Sequence, residues 1–146
     1  MQQGAKANYS GKTFEAKVKS LLQENNHKPS TPPRYKSLWS SRGQADIYLE
    51  ESDTQIELKF QNVPGTADQK AFTEIYNAAK TNKCAHYILV LGGEHWKKGR
   101  GHSIYINAKE FAEAASQPIG REAFSLNGAK KLSVMLDSEF EEWANE

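Results

Sequence analysis

Between Ala45 and Gln61 the side chains alternate in polarity with a period of two. Ala45, Ile47 and Leu49 flank Asp46 and Tyr48; after the polar turn Glu50-Glu51-Ser52-Asp53, Ile56, Leu58 and Phe60 interleave with Glu57, Lys59 and Gln61. This is the pattern of half-buried strands, and it predicts a β-hairpin. With the turn at 50–53, opposing residue numbers sum to 103, which sets Asp46 across from Glu57 and Ile47 across from Ile56. Two carboxylates then face each other. Like charges directly opposite one another cost a sheet about 0.2–1 kcal/mol, more when partly buried, so the pair needs a compensating cation. Lys59, two residues along the same face, is one candidate. A divalent metal is the other, because two carboxylates suit Mg²⁺, which keeps several waters for chemistry. Gln61 continues the face and offers a neutral amide to a bound phosphate or an attacking water.

The flanking sequence predicts the elements around this hairpin. After a polar, frayed start, Phe14, Val18, Leu21 and Leu22 line one face of a helix over 13–24. The prolines of 25–33 end it in a loop, and 35–39 reads as a short strand. Beyond Val63-Pro64-Gly65, Thr66 and Gln69 form a capping box for a helix through Lys80, with Ala71, Ile75, Ala78 and Ala79 facing the core. The apolar run 84–91, bounded by Gly92-Gly93, reads as a strand buried on both faces, with Cys84 and His86 as core or core-edge residues. A loop over 94–101, a short strand over 103–106 and a helix capped by Asn107 and carrying Phe111, Ala112 and Ala115 follow. The stretch 132–135 fits either helix or strand, and Phe140 and Trp143 mark a closing amphipathic helix. The loop from His95 to His102 mixes aromatics, bases and glycines, a composition suited to a flexible groove or backbone reader. Its two histidines and Glu94 lack the spacing of a zinc site.

Composition narrows the class. A chain of 146 residues predicts one domain over 1–146, and 10% aromatic residues exclude a disordered chain. No stretch approaches the roughly 18 apolar residues of a membrane helix, and the start lacks the apolar core of a signal peptide. Cys84 is the single cysteine, so no intrachain disulfide forms and a reducing, cytoplasmic compartment is expected. The net charge of +1 conceals a gradient: eight basic against four acidic residues in 1–50, seven against six in 51–100, and four against eight in 101–146. Such polarity points to one basic face, while the acidic end reads as a solvated helix. Lys12, Lys17, Lys19, Arg34, Lys36 and Arg42, with Lys70, Lys97, Lys98 and Arg100, are the candidates for contacts with a phosphate backbone.

Asp46, then Glu57-Leu58-Lys59 on the next strand, behind a helix carrying Glu15, resembles the PD-(D/E)XK nuclease superfamily. Glu15-Ala16-Lys17 and Asp68-Gln69-Lys70 are also acid-x-Lys triplets, but on predicted helices; only Glu57-Leu58-Lys59 lies on a strand paired with an acidic strand. Ala45 stands where the family usually has proline. The resemblance implies an α/β fold with a restriction-endonuclease-like core, a central mixed sheet flanked by helices in the order α-β-β-β-α-β. The catalytic core would span about 11–91, followed by a loop, short strand and C-terminal helices over 92–146. It further implies Mg²⁺, with Mn²⁺ substituting, held by Asp46, Glu57 and the Leu58 backbone carbonyl. Lys59 would activate or orient the water, Glu15 would complete the site, and Gln61 matches a polar residue of some branches. The implied activity is metal-dependent endonucleolytic hydrolysis of DNA, as site-specific duplex cleavage of homing or restriction type. One active site per chain makes cutting both strands the work of a homodimer or higher homo-oligomer. A structure-selective Holliday-junction resolvase and a non-catalytic DNA-binding protein are the alternatives.

Overall fold

A computed structural model of the chain describes the backbone of residues 2–65 and 67–146 and the side chains of 11–65 and 68–146. Thr66, half of the expected capping box, lies outside the described residues. The elements run α1 (Gln2–Glu24), β1 (Pro29–Ser30), β2 (Ile47–Leu49), β3 (Thr54–Phe60), α2 (Ala67–Thr81), β4 (His86–Gly92), a 3₁₀ turn (Glu94–Lys97), α3 (Gly99–Ala115), α4 (Pro118–Ala123), β5 (Lys131–Leu136) and α5 (Asp137–Ala144). This is the expected α/β fold in its α-β-β-β-α-β order, a mixed sheet flanked by helices.

The sheet has the order β1-β2-β3-β4-β5. β1, β2 and β3 are antiparallel neighbours, whereas β3, β4 and β5 run parallel and are joined by crossovers through α2 and through α3 and α4. β4 sits between two parallel neighbours with helices over both faces, which is why its sequence is continuously apolar. Tyr87, Leu89 and Leu91 pack with Ala71, Ile75, Ala78 and Ala79 of α2 and Tyr105, Ala108 and Ala112 of α3. Ile88 and Val90 pack on the other face with Phe14, Val18 and Leu22 of α1 and Phe140 of α5. The α1 face continues onto the hairpin through Ile47, Leu49 and Ile56, and the Phe14 ring tilts against Phe60 at 5.3 Å.

Several local expectations change. The residues of 103–106, expected as a strand, lie inside α3, and Asn107 is therefore mid-helix rather than a cap. Their β-branched and aromatic side chains carry strand propensity, but Tyr105, Ala108, Ala112 and Ala115 form one buried helical face, and that packing overrides the local preference. The 94–101 segment is not a flexible loop: His95 and Trp96 are buried in the 3₁₀ turn, where His95 Nε2 bonds Asp68 Oδ1 at the start of α2. His102 lies in α3. α1 begins at Gln2 rather than near Thr13, 35–39 contributes one bridge from Tyr35 to Gly43 instead of a strand, and 132–135 belongs to β5.

Two glycines in contrasting surroundings test this packing. A Cβ at Gly11, within α1, meets nothing within 4 Å, whereas one at Gly128 would stand 2.1 Å from the Ala78 carbonyl oxygen. Gly11→Ala is expected to stabilise the protein by about 0.5–1 kcal/mol through lower unfolded-state entropy. Gly128→Ala is expected to destabilise it by about 1–3 kcal/mol, both read by denaturant unfolding.

Candidate active site

The hairpin has the expected register, with Ile47 opposite Ile56, Tyr48 opposite Gln55 and Leu49 opposite Thr54. Its turn closes through Asp53, which takes a left-handed conformation (φ 51°) and accepts a hydrogen bond from the Tyr48 hydroxyl at 2.9 Å. Asp46 departs from that register. Its N–H donates to the Ile56 carbonyl (3.0 Å), one residue out of step, so the chain bulges just before β2. Bulges re-aim side chains. Here the Asp46 carboxylate turns onto the neighbouring strand, where Oδ2 accepts the Leu58 N–H at 2.8 Å. A strand residue presents its N–H and C=O to the same edge, so the Leu58 carbonyl also leaves β3 on the side that β2 no longer covers.

Glu57 and Lys59 project from β3 on the α2 face of the sheet. Glu57 is buried at 8% exposure, and burial, followed by the charges of Asp46 and Glu74, pushes its carboxyl up to about 8 against the pull of Lys59. Asp46 is also held above its ordinary value, first by desolvation and then by Glu15, although the Leu58 N–H and Lys59 oppose this. Lys59 Nζ lies 3.1 Å from Glu57 Oε2 and 3.8 Å from Glu74 Oε1. Burial draws the ammonium down, but Glu57 and Glu74 outweigh it and hold Lys59 above its usual value.

Glu74 and Tyr35 are neighbours that sequence reasoning missed. Glu74 is three residues beyond the buried Ala71 of α2, at the margin of the core-facing stripe, and nothing in its spacing distinguishes it from a solvated acid. Tyr35 comes from the segment between β1 and β2; burial, then Glu74 and Glu57, push its phenol up to about 12, and Asn77 of α2 donates to its oxygen at 3.2 Å.

Gln61 follows β3 directly. Its main chain is tied on both sides, the N–H to Gly92 O (3.0 Å) and the carbonyl to His95 N (3.1 Å), while its side-chain Nε2 is buried with no partner among the described residues. Glu15 comes within electrostatic reach of Asp46 but bonds Lys19 at 2.9 Å on its own helix, so the fold brings it to the rim rather than into contact. Lys12, Lys17, Arg34, Lys36, Arg42, Lys70 and Lys98 are exposed. Lys97 pairs with Glu94 (3.3 Å) and Asp137 (3.1 Å), and Arg100 Nε reaches Asp68 at 3.4 Å. The groove between α1 and α5, lined by Phe14, Val18, Phe60 and Phe140, occupies the opposite face of the sheet from Glu57 and Lys59.

The donor set fits a hard divalent cation. Two carboxyls that cannot both ionise without mutual repulsion, beside a main-chain carbonyl on an open edge, are oxygen donors that a 2+ charge would pull into their anionic forms. Among the described residues no three His, Cys, Asp or Glu side chains form a metal cluster. The remaining positions would thus fall to water and a phosphate, as Mg²⁺ prefers.

The raised carboxyl has a stability signature. Between the unfolded value of about 4.5 and the folded value of about 8, the folded state holds the Glu57 proton more tightly, so stability is present below that window and is lost as pH rises through it. Glu57→Gln is therefore expected to melt above the native protein at pH 8.5 without metal, the difference shrinking toward pH 5. Equal melting temperatures across that range would show that Glu57 is not strained.

A sequence model described as a PD-(D/E)XK nuclease superfamily domain matches residues 6–146. Comparisons with curated proteins and with solved structures each return no match. Members of this superfamily are usually nucleases that act with divalent metals. The match spans the hairpin carrying Asp46, Glu57 and Lys59 together with every strand of the sheet, and the chain belongs to the PD-(D/E)XK nuclease superfamily.

Proposed function

We propose that the protein is a Mg²⁺-dependent endodeoxyribonuclease, with Mn²⁺ able to substitute, that cleaves duplex DNA at specific sites in the manner of homing or restriction enzymes. The observation that carries this reading is the placement of the Asp46 carboxylate on the Leu58 N–H, next to the buried Glu57 carboxyl and the Lys59 ammonium, where β2 releases the edge of β3. Asp46, Glu57 and the Leu58 carbonyl would hold the cation. When bound, it supplies charge that polarises the scissile phosphate and lowers the pKa of water.

The remaining work falls to side chains of this chain. Lys59, steadied by Glu57 and Glu74, presents a permanent positive charge to the attacking water and to the charge growing on the phosphate oxygens. Gln61 Nε2 has no partner among the described residues, but it is buried, so the site would have to open around it before it could donate to a phosphate oxygen. Glu15, released from Lys19, would complete the acidic rim from α1. Exposed Lys12, Lys17, Arg34, Lys36, Arg42, Lys70 and Lys98 would anchor the backbone on either side; Lys19, Lys97 and Arg100 would join where their carboxylate partners yield to phosphate. One such centre per chain implies that cutting both strands recruits a second copy. The whole of 1–146 would act as one intracellular catalytic domain.

Incubation with linear duplex, four-way-junction and single-stranded DNA, in Mg²⁺ or EDTA, tests the reading. Discrete Mg²⁺-dependent fragments from linear duplex are expected. Junction-only cleavage would replace it with the resolvase reading, and no product in any lane would defeat both. Asp46→Asn and Glu57→Gln should each lower cleavage by at least about 100-fold while DNA binding persists. In a separate melting experiment, Mg²⁺ at about a hundredfold excess over its Kd should stabilise the native protein by about 2.7 kcal/mol and the Asp46→Asn variant by much less.

A further inference from the structure

The segment between β1 and β2 has a use that the catalytic residues do not exhaust. From Thr31 to Ala45 it contains Arg34, Lys36 and Arg42 and no Asp or Glu. At its tip Leu38 and Trp39 are exposed at 47% and 61%, next to each other in a chain whose other two tryptophans are buried or half-buried. Together with Leu38, the exposed Trp39 indole offers a small apolar surface at the tip of a loop whose only charges are basic.

The loop is built rather than slack. Tyr35 and Gly43 exchange two main-chain hydrogen bonds at 2.8 Å, and the Tyr35 ring lies so close over Gly43 that a Cβ there would stand 2.8 Å from it. Ser37 closes the tip through its N–H and hydroxyl, both donated to the Ser40 carbonyl (2.8 and 2.9 Å), and its oxygen accepts the Trp39 N–H at 3.3 Å. Asn77 of α2 pins the whole arm: Oδ1 accepts the Leu38 N–H at 2.9 Å while Nδ2 donates to Tyr35. Asn77 is one helical turn beyond Glu74, and the loop runs directly into Asp46. Gly43 lies three positions before Asp46, so the base of the arm stands within about 10 Å of the Asp46 backbone, and the seven positions from Trp39 bound the tip to within about 25 Å of it. That upper bound corresponds to about seven nucleotide steps of a strand.

From this arrangement we infer that Trp39, with Leu38 beside it, is a base-stacking wedge that engages an unstacked base of the DNA within about seven nucleotides of the scissile phosphate. The inference rests on the nuclease reading and deepens it by naming a feature of the substrate. The cations around the tip complement the phosphates on either side of such a base, and an indole face stacks on any base irrespective of sequence. The wedge therefore selects for a step that opens easily, through mismatch, branching or a flexible sequence, rather than for a base identity.

The test uses the full chain in EDTA with two duplexes carrying 2-aminopurine, one opposite a mismatch and one fully paired. The native protein is expected to change 2-aminopurine emission and to bind the mismatched duplex more tightly. Trp39→Ala should weaken that binding about tenfold and abolish the emission change, Trp39→Phe should retain most of both, and the melting temperature should be unchanged because the side chain is exposed. The preference for the mismatch should survive raised salt while overall affinity falls. Unaltered binding and emission in Trp39→Ala, with Mg²⁺-dependent cleavage intact, would overturn the wedge and leave the nuclease reading standing. Loss of self-association in Trp39→Ala with unchanged DNA signals would reassign the tip to a contact between copies and equally overturn it. Failure of the native protein to bind or cut any DNA would remove the wedge and the nuclease reading together.

Discussion

The site depends on one misstep in hydrogen bonding. Because the Asp46 N–H reaches the Ile56 carbonyl one residue out of register, the β2 ladder stops there, the Asp46 carboxylate folds over onto the Leu58 N–H, and the rest of β3 is left without a strand on that edge. A regular hairpin carried further would have paired the Leu58 main chain with another strand. The break supplies at one place a carboxylate, a second carboxylate on the adjacent strand and a main-chain carbonyl facing outward.

That arrangement is costly, and the surrounding fold holds it in place. The α1 face of the hairpin is apolar through Ile47, Ile56 and Phe60, so burial there secures the register while the α2 face carries Glu57 and Lys59. β4, packed on both faces, fixes β3 from the other side through seven paired residues. Lys59 between Glu57 and Glu74 offsets part of the repulsion, yet Glu57 still sits far from its ordinary carboxylate range. Stability given up at a small polar cluster is characteristic of sites organised for a ligand that the folded chain alone does not satisfy.

Much of this was readable locally. The alternation from Ala45 to Gln61 was enough for the hairpin and its sum of 103, since one face is buried and a slip of one residue would invert every side chain. The helical stripe of Ala71, Ile75, Ala78 and Ala79 and the two-sided run of β4 were equally plain. Where local preference and tertiary packing disagreed, packing won. Ser103, Ile104, Tyr105 and Ile106 look like a strand, but the fold needs a helix there to carry Tyr105 and Ala108 onto the sheet. The bases and aromatics around His95 look like a solvent loop, but His95 and Trp96 fill space beside Asp68.

The sequence by itself determined the hairpin, its register and the strand face that Glu57 and Lys59 share, because period-two burial and charge are properties of neighbours along the chain. Only the tertiary structure decided that Asp46 would leave that register, that Glu74 would reach Lys59 from α2, and that Asn77 would hold Tyr35 and the Trp39 arm beside them. Those contacts join residues distant in sequence, brought together by the packing of α2 across β3 and β4, and no local pattern encodes which helix position will meet which strand.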